Sequence, residues 1–319
     1  MRLLKKCAEV AVRDCLRVKK DEDLLIIIDE SLFEIGSVFW EIGSKYAKNA
    51  FLIQMAKSIG HGVEPPEKIA NLMKEFPAII IPTTFSISHT KAVKDACASG
   101  ARIATLPSIK RSVIERTMNA DYNEIAKLTN YIAEQIEISE TVTVTSASGT
   151  NLTFSVEGQK VFRDTGVVCD SGQMCNLPAG EVYFSPKKGT VNGKIVVDGS
   201  MYPIGRIENP IEITFIDGFA TEIVGDFEAD LLRKAIEPYG KNATYLAEFG
   251  LGTNYKASFS GNVIEDEKAM GTFHFAIGND TITGGGNNVA CHLTGIALKT
   301  SFVTDKIQIT QEGQIVAKP

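Results

Sequence analysis

Two glutamates and two histidines in the second half of the chain have the donor types that metal chemistry needs. Glu181 follows Asn176-Leu177-Pro178-Ala179-Gly180, and Glu248 stands between Tyr245-Leu246-Ala247 and Phe249-Gly250-Leu251-Gly252. A carboxylate in such apolar or small-residue company is costly to bury unless something pairs with it. His274, in Gly271-Thr272-Phe273-His274-Phe275-Ala276-Ile277-Gly278, and His292, in Ala290-Cys291-His292-Leu293-Thr294, are two of only four histidines. On strands, the period of two turns His274 away from Phe273 and Phe275. It also puts His292 and Thr294 on one face, with Cys291 as a buried thiol on the other. Two carboxylates and two imidazoles suit Zn, Fe, Co or Mn and can leave one coordination position open for water. The same four residues also read as ion-pair partners and hydrogen-bonded core histidines, because no compact motif such as HExxH ties them together.

Other candidates surround this set. Glu267 is close in sequence to His274 and is a possible general base, although Glu265-Asp266-Glu267-Lys268 reads first as a solvated helix start. Gly284-Gly285-Gly286-Asn287-Asn288 precedes His292 and is either a flexible turn or an anion-binding nest of N–H groups. Ser86-Ile87-Ser88-His89-Thr90 opens a helix, with Ser86 or Ser88 as the N-cap and His89 as a capping, surface or cleft residue. His61, between Gly60 and Gly62, reads as a loop residue.

The elements that must position these residues change character along the chain. The continuous apolar runs Leu24–Ile28, Phe51–Met55, Ala78–Ile81 and Arg102–Leu106 alternate with helical periodicity at 3–16, 31–48, up to 74 and 88–98. Buried strands separated by helices predict a doubly wound parallel-sheet α/β domain over residues 1–137. No GxGxxG follows the first strand, so no dinucleotide site is expected. Beyond residue 138 the texture becomes alternating, as in Thr141–Thr145 and Asn151–Val156, with strands expected again at 194–198, 211–216 and 307–310. Asn192-Gly193 and Asp217-Gly218 are turn signals, and one helix is expected at Phe227–Ile236. Residues 138–319 therefore read as a β-rich α+β domain.

Composition narrows the class. The 319 residues are 44% hydrophobic and 23% charged, with a net charge of -6 and no basic block, which argues against a nucleic-acid partner. No apolar run is long enough to span a membrane, and the start of the chain reads as a helix and not as a signal peptide. Six irregularly spaced cysteines without a CxxC pair fit reduced thiols in the cytoplasm.

These segments resemble a known family. Asn176-Leu177-Pro178-Ala179-Gly180-Glu181-Val182 is similar to the N-L-P-x-x-E-V element of the thermophilic metalloaminopeptidases of the aminopeptidase T and S type. Ala247-Glu248, the run Glu265 to Gly278 and Cys291-His292-Leu293-Thr294 resemble the later metal-binding segments, and Ser88-His89-Thr90 resembles a helix start in the first domain. The resemblance implies a two-domain homodimer that removes N-terminal residues from peptides with a two-metal site, usually zinc or cobalt, here with manganese also admissible. It makes Glu181, Glu248, His274 and His292 ligands. Two departures stand out: the aspartate of the H-x-D element is Thr294, and the tyrosine ligand falls on Thr281. The chain also resembles a shorter related group that includes 2,5-dihydroxypyridine 5,6-dioxygenase, which implies instead an Fe(II) site of two histidines and an aspartate. The departures leave a third possibility, a non-catalytic relative with a degenerate site.

Overall fold

The computed structural model describes Met1–Pro319, and its residues fall into two compact units. The first comprises Met1–Ala126 with Asp164–Ala179, and the second Lys127–Arg163 with Gly180–Pro319. Where the sequence reading expects one crossing at 137/138, the chain crosses at 126/127 and then returns for sixteen residues. The return is short and turn-rich, and only its Met174–Asn176 strand pairs, so no long periodic pattern announces it.

In the first unit five parallel strands lie in the order Asn49–Met55, Asp23–Asp29, Ala78–Thr83, Arg102–Pro107, Met174–Asn176. The apolar runs are continuous because both faces are covered. Leu24, Ile26 and Ile28 pack in one core with Leu4, Phe39 and Ile114 of the helices, while Leu25 and Ile27 pack in the other with Met73, Val93 and Ala96. The doubly wound reading describes this unit. The helix after the third strand runs Lys91–Ala98, and its N-cap is Thr90, which accepts from Val93 N–H. Ser88, expected as a cap with Ser86, is instead buried and bonds Thr105 Oγ1 (2.9 Å) and Asn176 Oδ1 (3.0 Å). A helix-start serine and a buried network serine look alike in sequence.

The second unit packs a six-stranded antiparallel sheet on a seven-stranded one. The first sheet holds Thr141–Ser146, Asn151–Ser155, Asn192–Val197, Ile211–Ile216, Phe219–Val224 and Thr300–Thr304. Asp217 and Gly218, both at positive φ (50° and 85°), make the tight turn between two of its strands. Asn192-Gly193 begins a strand and is not a separate turn, and the expected strand at 307–310 shortens to Thr310–Gln311. The second sheet centres on four strands: Glu181–Phe184, Leu246–Gly252, Phe273–Gly278 and His292–Ala297. Its inner face is aromatic. Phe249 stacks between Phe154 of the opposite sheet (4.3 Å between centroids) and Phe273 (5.3 Å). The expected helix Phe227–Ile236 is present and closes one side of this core. No helix of the chain is long and apolar enough to cross a membrane.

Candidate metal centre

Strand register decides which side chains meet on the other face of the seven-stranded sheet. Gly252 lies opposite Glu181, Gly250 opposite His274, Glu248 opposite Ala276, Ala276 opposite Thr294, and Gly278 opposite His292. This register puts Glu181, Glu248, His274, His292 and Thr294 on one face, and Val182, Phe249, Leu251, Phe273, Phe275 and Leu293 in the core. All five proposed ligand positions thus share a face.

Glu248 reaches that face only through an irregularity. Leu246 pairs with Ile277 and belongs to the core, so strict alternation would bury Glu248 beside it. The register shifts between Leu246 and Glu248, and this bulge turns the glutamate to the opposite side. Gly250 is the second local device. A Cβ built there would lie 2.2 Å from His274 Nε2, so the imidazole lies across the next strand only because position 250 has no side chain.

The result is a tight buried cluster. His274 Nε2 is 3.5 Å from Glu181 Oε2 and 3.9 Å from Glu248 Oε1. Lys268, 4% exposed, bonds Glu181 Oε1 with its ammonium and approaches Glu267 Oε1 at 3.3 Å. The expected solvated helix start is therefore wrong for Glu265–Lys268. Glu265, Asp266 and Lys268 are buried around the short helix Val263–Asp266, with Asp266 accepting from Ser200 Oγ, Ser260 N–H and Gly261 N–H. A charged run looks solvated until tertiary partners are known. Glu267, the candidate base, joins the cluster through Lys268.

Burial dominates the electrostatics. It holds His274 down to about 4, against the opposing field of Glu181, so the ring is neutral at pH 7. It pushes Glu248 up to about 8, helped by Glu181 and opposed by Lys268. Burial pushes Glu267 upward as well. His292 is lowered, again by burial, and its Nδ1 lies 2.9 Å from the Asn279 carbonyl. That contact assigns the N–H to Nδ1 and leaves the Nε2 lone pair for a ligand.

The donor types fit a divalent metal. Glu181 Oε2 and His274 Nε2 are both buried and have no hydrogen-bond partner, although a buried polar atom ordinarily finds one. Their separation is one that two ligands of the same ion can have. The side chains do not form a preassembled cage of three, because Lys268 holds the other oxygen of Glu181 and His292 stands further along the sheet. Thr281, at the family's tyrosine position, opens the short 3-10 helix Thr281–Thr283 and spends its N–H and hydroxyl on Asn279 Oδ1. In the Gly284–Asn288 turn Asn287 N–H donates to the Asp280 carboxylate and Gly285 N–H to the Asp280 carbonyl, so these donors are spent within the chain. Cys291 packs at the edge of the core. His61 accepts from Ser86 N–H through Nδ1.

The sequence reading missed Lys268 and Gly250. A signal for the second was present, since Glu248-Phe249-Gly250-Leu251-Gly252 alternates large apolar residues with glycines on the carboxylate face.

Comparison with known proteins agrees with this architecture. Residues 31–317 match the family NicX, described as 2,5-dihydroxypyridine 5,6-dioxygenase. Aminopeptidase AmpS of Bacillus subtilis (strain 168) is 30% identical over 141 residues, which are 42% of this chain and only 33% of that relative's length. The structure of 2,5-dihydroxypyridine dioxygenase from Pseudomonas putida KT2440 superposes with a TM-score of 0.85 at 17% identity, over 99% of this chain and 97% of that one. AmpT from Thermus thermophilus superposes with a TM-score of 0.73 at 16% identity, over 99% of both chains. At such identities the two structures show a shared fold.

Proposed function

Because the chain belongs to the NicX family, an enzyme family that shares its fold with AmpT, we propose that it is a metal-dependent hydrolase of the aminopeptidase kind. The observation that carries this reading is the pair of partnerless buried atoms, Glu181 Oε2 and His274 Nε2, with Glu248 Oε1 beside them. Glu181, His274 and Glu248 would hold the ion, with His292 completing the set from the neighbouring strand. Zinc, cobalt or manganese suits such a donor set. When bound, such an ion supplies Lewis acidity and a water of lowered pKa.

The chain's own residues do the rest. Gly250 leaves room for the imidazole, and the bulge turns Glu248 to the same face. In this reading Glu267 would serve as the base, and Lys268 bridges Glu267 and Glu181. A small peptide or other small molecule is the substrate class of this reading, and a cytoplasmic homodimer is the form it expects.

A specific observation favours a second reading, an Fe(II) ring-cleaving dioxygenase: the family match covers most of the chain, and His274 and His292 share one sheet face. Against it, Thr294 replaces the carboxylate that the two histidines would need. The deciding experiment is elemental analysis of protein purified without added metal or chelator, followed by two assays. Zinc, cobalt or manganese with amino-acid release from aminoacyl substrates supports the hydrolase. Iron with oxygen uptake on a dihydroxypyridine replaces it with the dioxygenase. No metal after reconstitution rejects both and leaves a non-catalytic relative.

A further inference from the structure

The buried cluster holds one cation of its own, and its placement bears on how many metal ions the site takes. Glu181 is shared between two directions. Its Oε1 receives the Lys268 ammonium, while Oε2 faces His274 Nε2 at 3.5 Å with no hydrogen-bond partner. Lys268 reaches a second carboxylate as well, at Glu267 Oε1.

The lysine is held there by the fold. Its carbonyl accepts from Asn254 N–H at 2.9 Å, and its N–H donates to the Glu265 carbonyl at 3.0 Å. The Leu246–Gly252 strand packs so closely on this segment that a Cβ at Gly252 would lie 2.1 Å from the Ala269 carbonyl oxygen. The side chain is 5% exposed, so the ammonium has little water to return to and depends on its carboxylates.

Charge bookkeeping points the same way. A divalent ion bound at Glu181 and Glu248 would hold the carboxyls of this cluster ionised, and Glu181, Glu248 and Glu267 would then set three carboxylates against one ammonium. The two negative charges left over match one divalent ion, whereas two divalent ions would leave a buried excess of positive charge.

We propose that Lys268 is the built-in second cation of this centre: its ammonium occupies the oxygens of Glu181 and Glu267 that a second metal would need, so the site takes one divalent ion and not two. This rests on the metal reading above, and the test separates the two. The full chain is stripped of metal and titrated with Mn²⁺, with stoichiometry read by native mass spectrometry and the spin state by electron paramagnetic resonance. Wild type and Lys268→Arg are expected to bind one equivalent, with the signal of an isolated ion. Lys268→Ala frees both oxygens and is expected to bind two, with the spectrum of an exchange-coupled pair. Lys268→Gln, which fills more of the space without a charge, repeats the measurement should the alanine variant lose its circular dichroism. Two equivalents in wild type, or one in the folded alanine or glutamine variant, overturn the role of Lys268 and leave the metal reading standing. No bound Mn²⁺ in wild type overturns both.

Discussion

Gly250 shows how much of this site depends on a missing side chain. A methyl group there would collide with the His274 ring, and the ring has nowhere to go, being 1% exposed. Gly250→Ala is expected to lower metal affinity about 10–100-fold, as displaced supports of metal ligands commonly do. Isothermal titration with Mn²⁺ checks this, and unchanged affinity would mean that His274 is not a ligand. Thr294 gives the reverse case. It shares the ligand face, so Thr294→Asp is expected to tighten metal binding by restoring a carboxylate beside His292. The same titration on that variant would show no change if position 294 does not reach the site. Lys268 was hidden from sequence reasoning, and Glu267 was offered only as a base, because a run of charges is ordinarily a solvated surface. Only the packed strand beside them makes that surface an interior.

Single strands and pairs carry the next set of expectations. Phe249 sits between Glu248 and Gly250 in sequence and between Phe154 and Phe273 in space. Phe249→Ala is expected to cost about 3–5 kcal/mol in stability, through lost burial and the cavity left behind. Because its neighbours form the site, metal affinity should fall with it, and chemical denaturation with a parallel titration measures both. In the first unit Arg102 makes a two-pronged pair with Glu22 (3.0 and 2.7 Å) and also donates to the Leu16 carbonyl. Burial alone would raise Glu22, but the Arg102 bonds, with the Lys19 N–H, outweigh it and hold the carboxyl below its ordinary value. A folded-state pKa below the unfolded one gives stability that is present above the unfolded value of about 4.3 and is lost as pH falls through the folded value. The wild-type melting temperature should therefore fall more steeply below pH 4 than that of Glu22→Gln. Parallel acid-limb slopes would show that the pair contributes nothing.

At the scale of the whole molecule, the chain's return at 164–179 has a consequence for dissection. Met174–Asn176 is the fifth strand of the parallel sheet, pairing with Arg102–Pro107, so a cut after residue 137 removes it. The fragment 1–137 would expose the edge of a strand built for burial, and it also loses Val168, Cys175 and Leu177 from one core. It is expected to aggregate or to exchange its amide hydrogens far faster than the same residues in the full chain. Hydrogen exchange on both would show equal protection if the fragment is self-sufficient.

Periodicity alone determined that the first half is a doubly wound parallel sheet and the second half β-rich, because a strand covered on both faces must be apolar throughout and a half-covered one must alternate. Residue type alone singled out Glu181, Glu248, His274 and His292, because carboxylates and imidazoles in apolar settings need partners. Tertiary structure decided which partners they have. The bulge before Glu248 reverses the face that alternation assigns, the register brings His274 over Gly250, and Lys268 arrives from a segment eighty-seven residues beyond Glu181 to share its carboxylate. Local sequence encodes how a segment alternates, whereas contact between distant segments depends on how strands are paired and shifted, and that is set only when the whole sheet closes on its core.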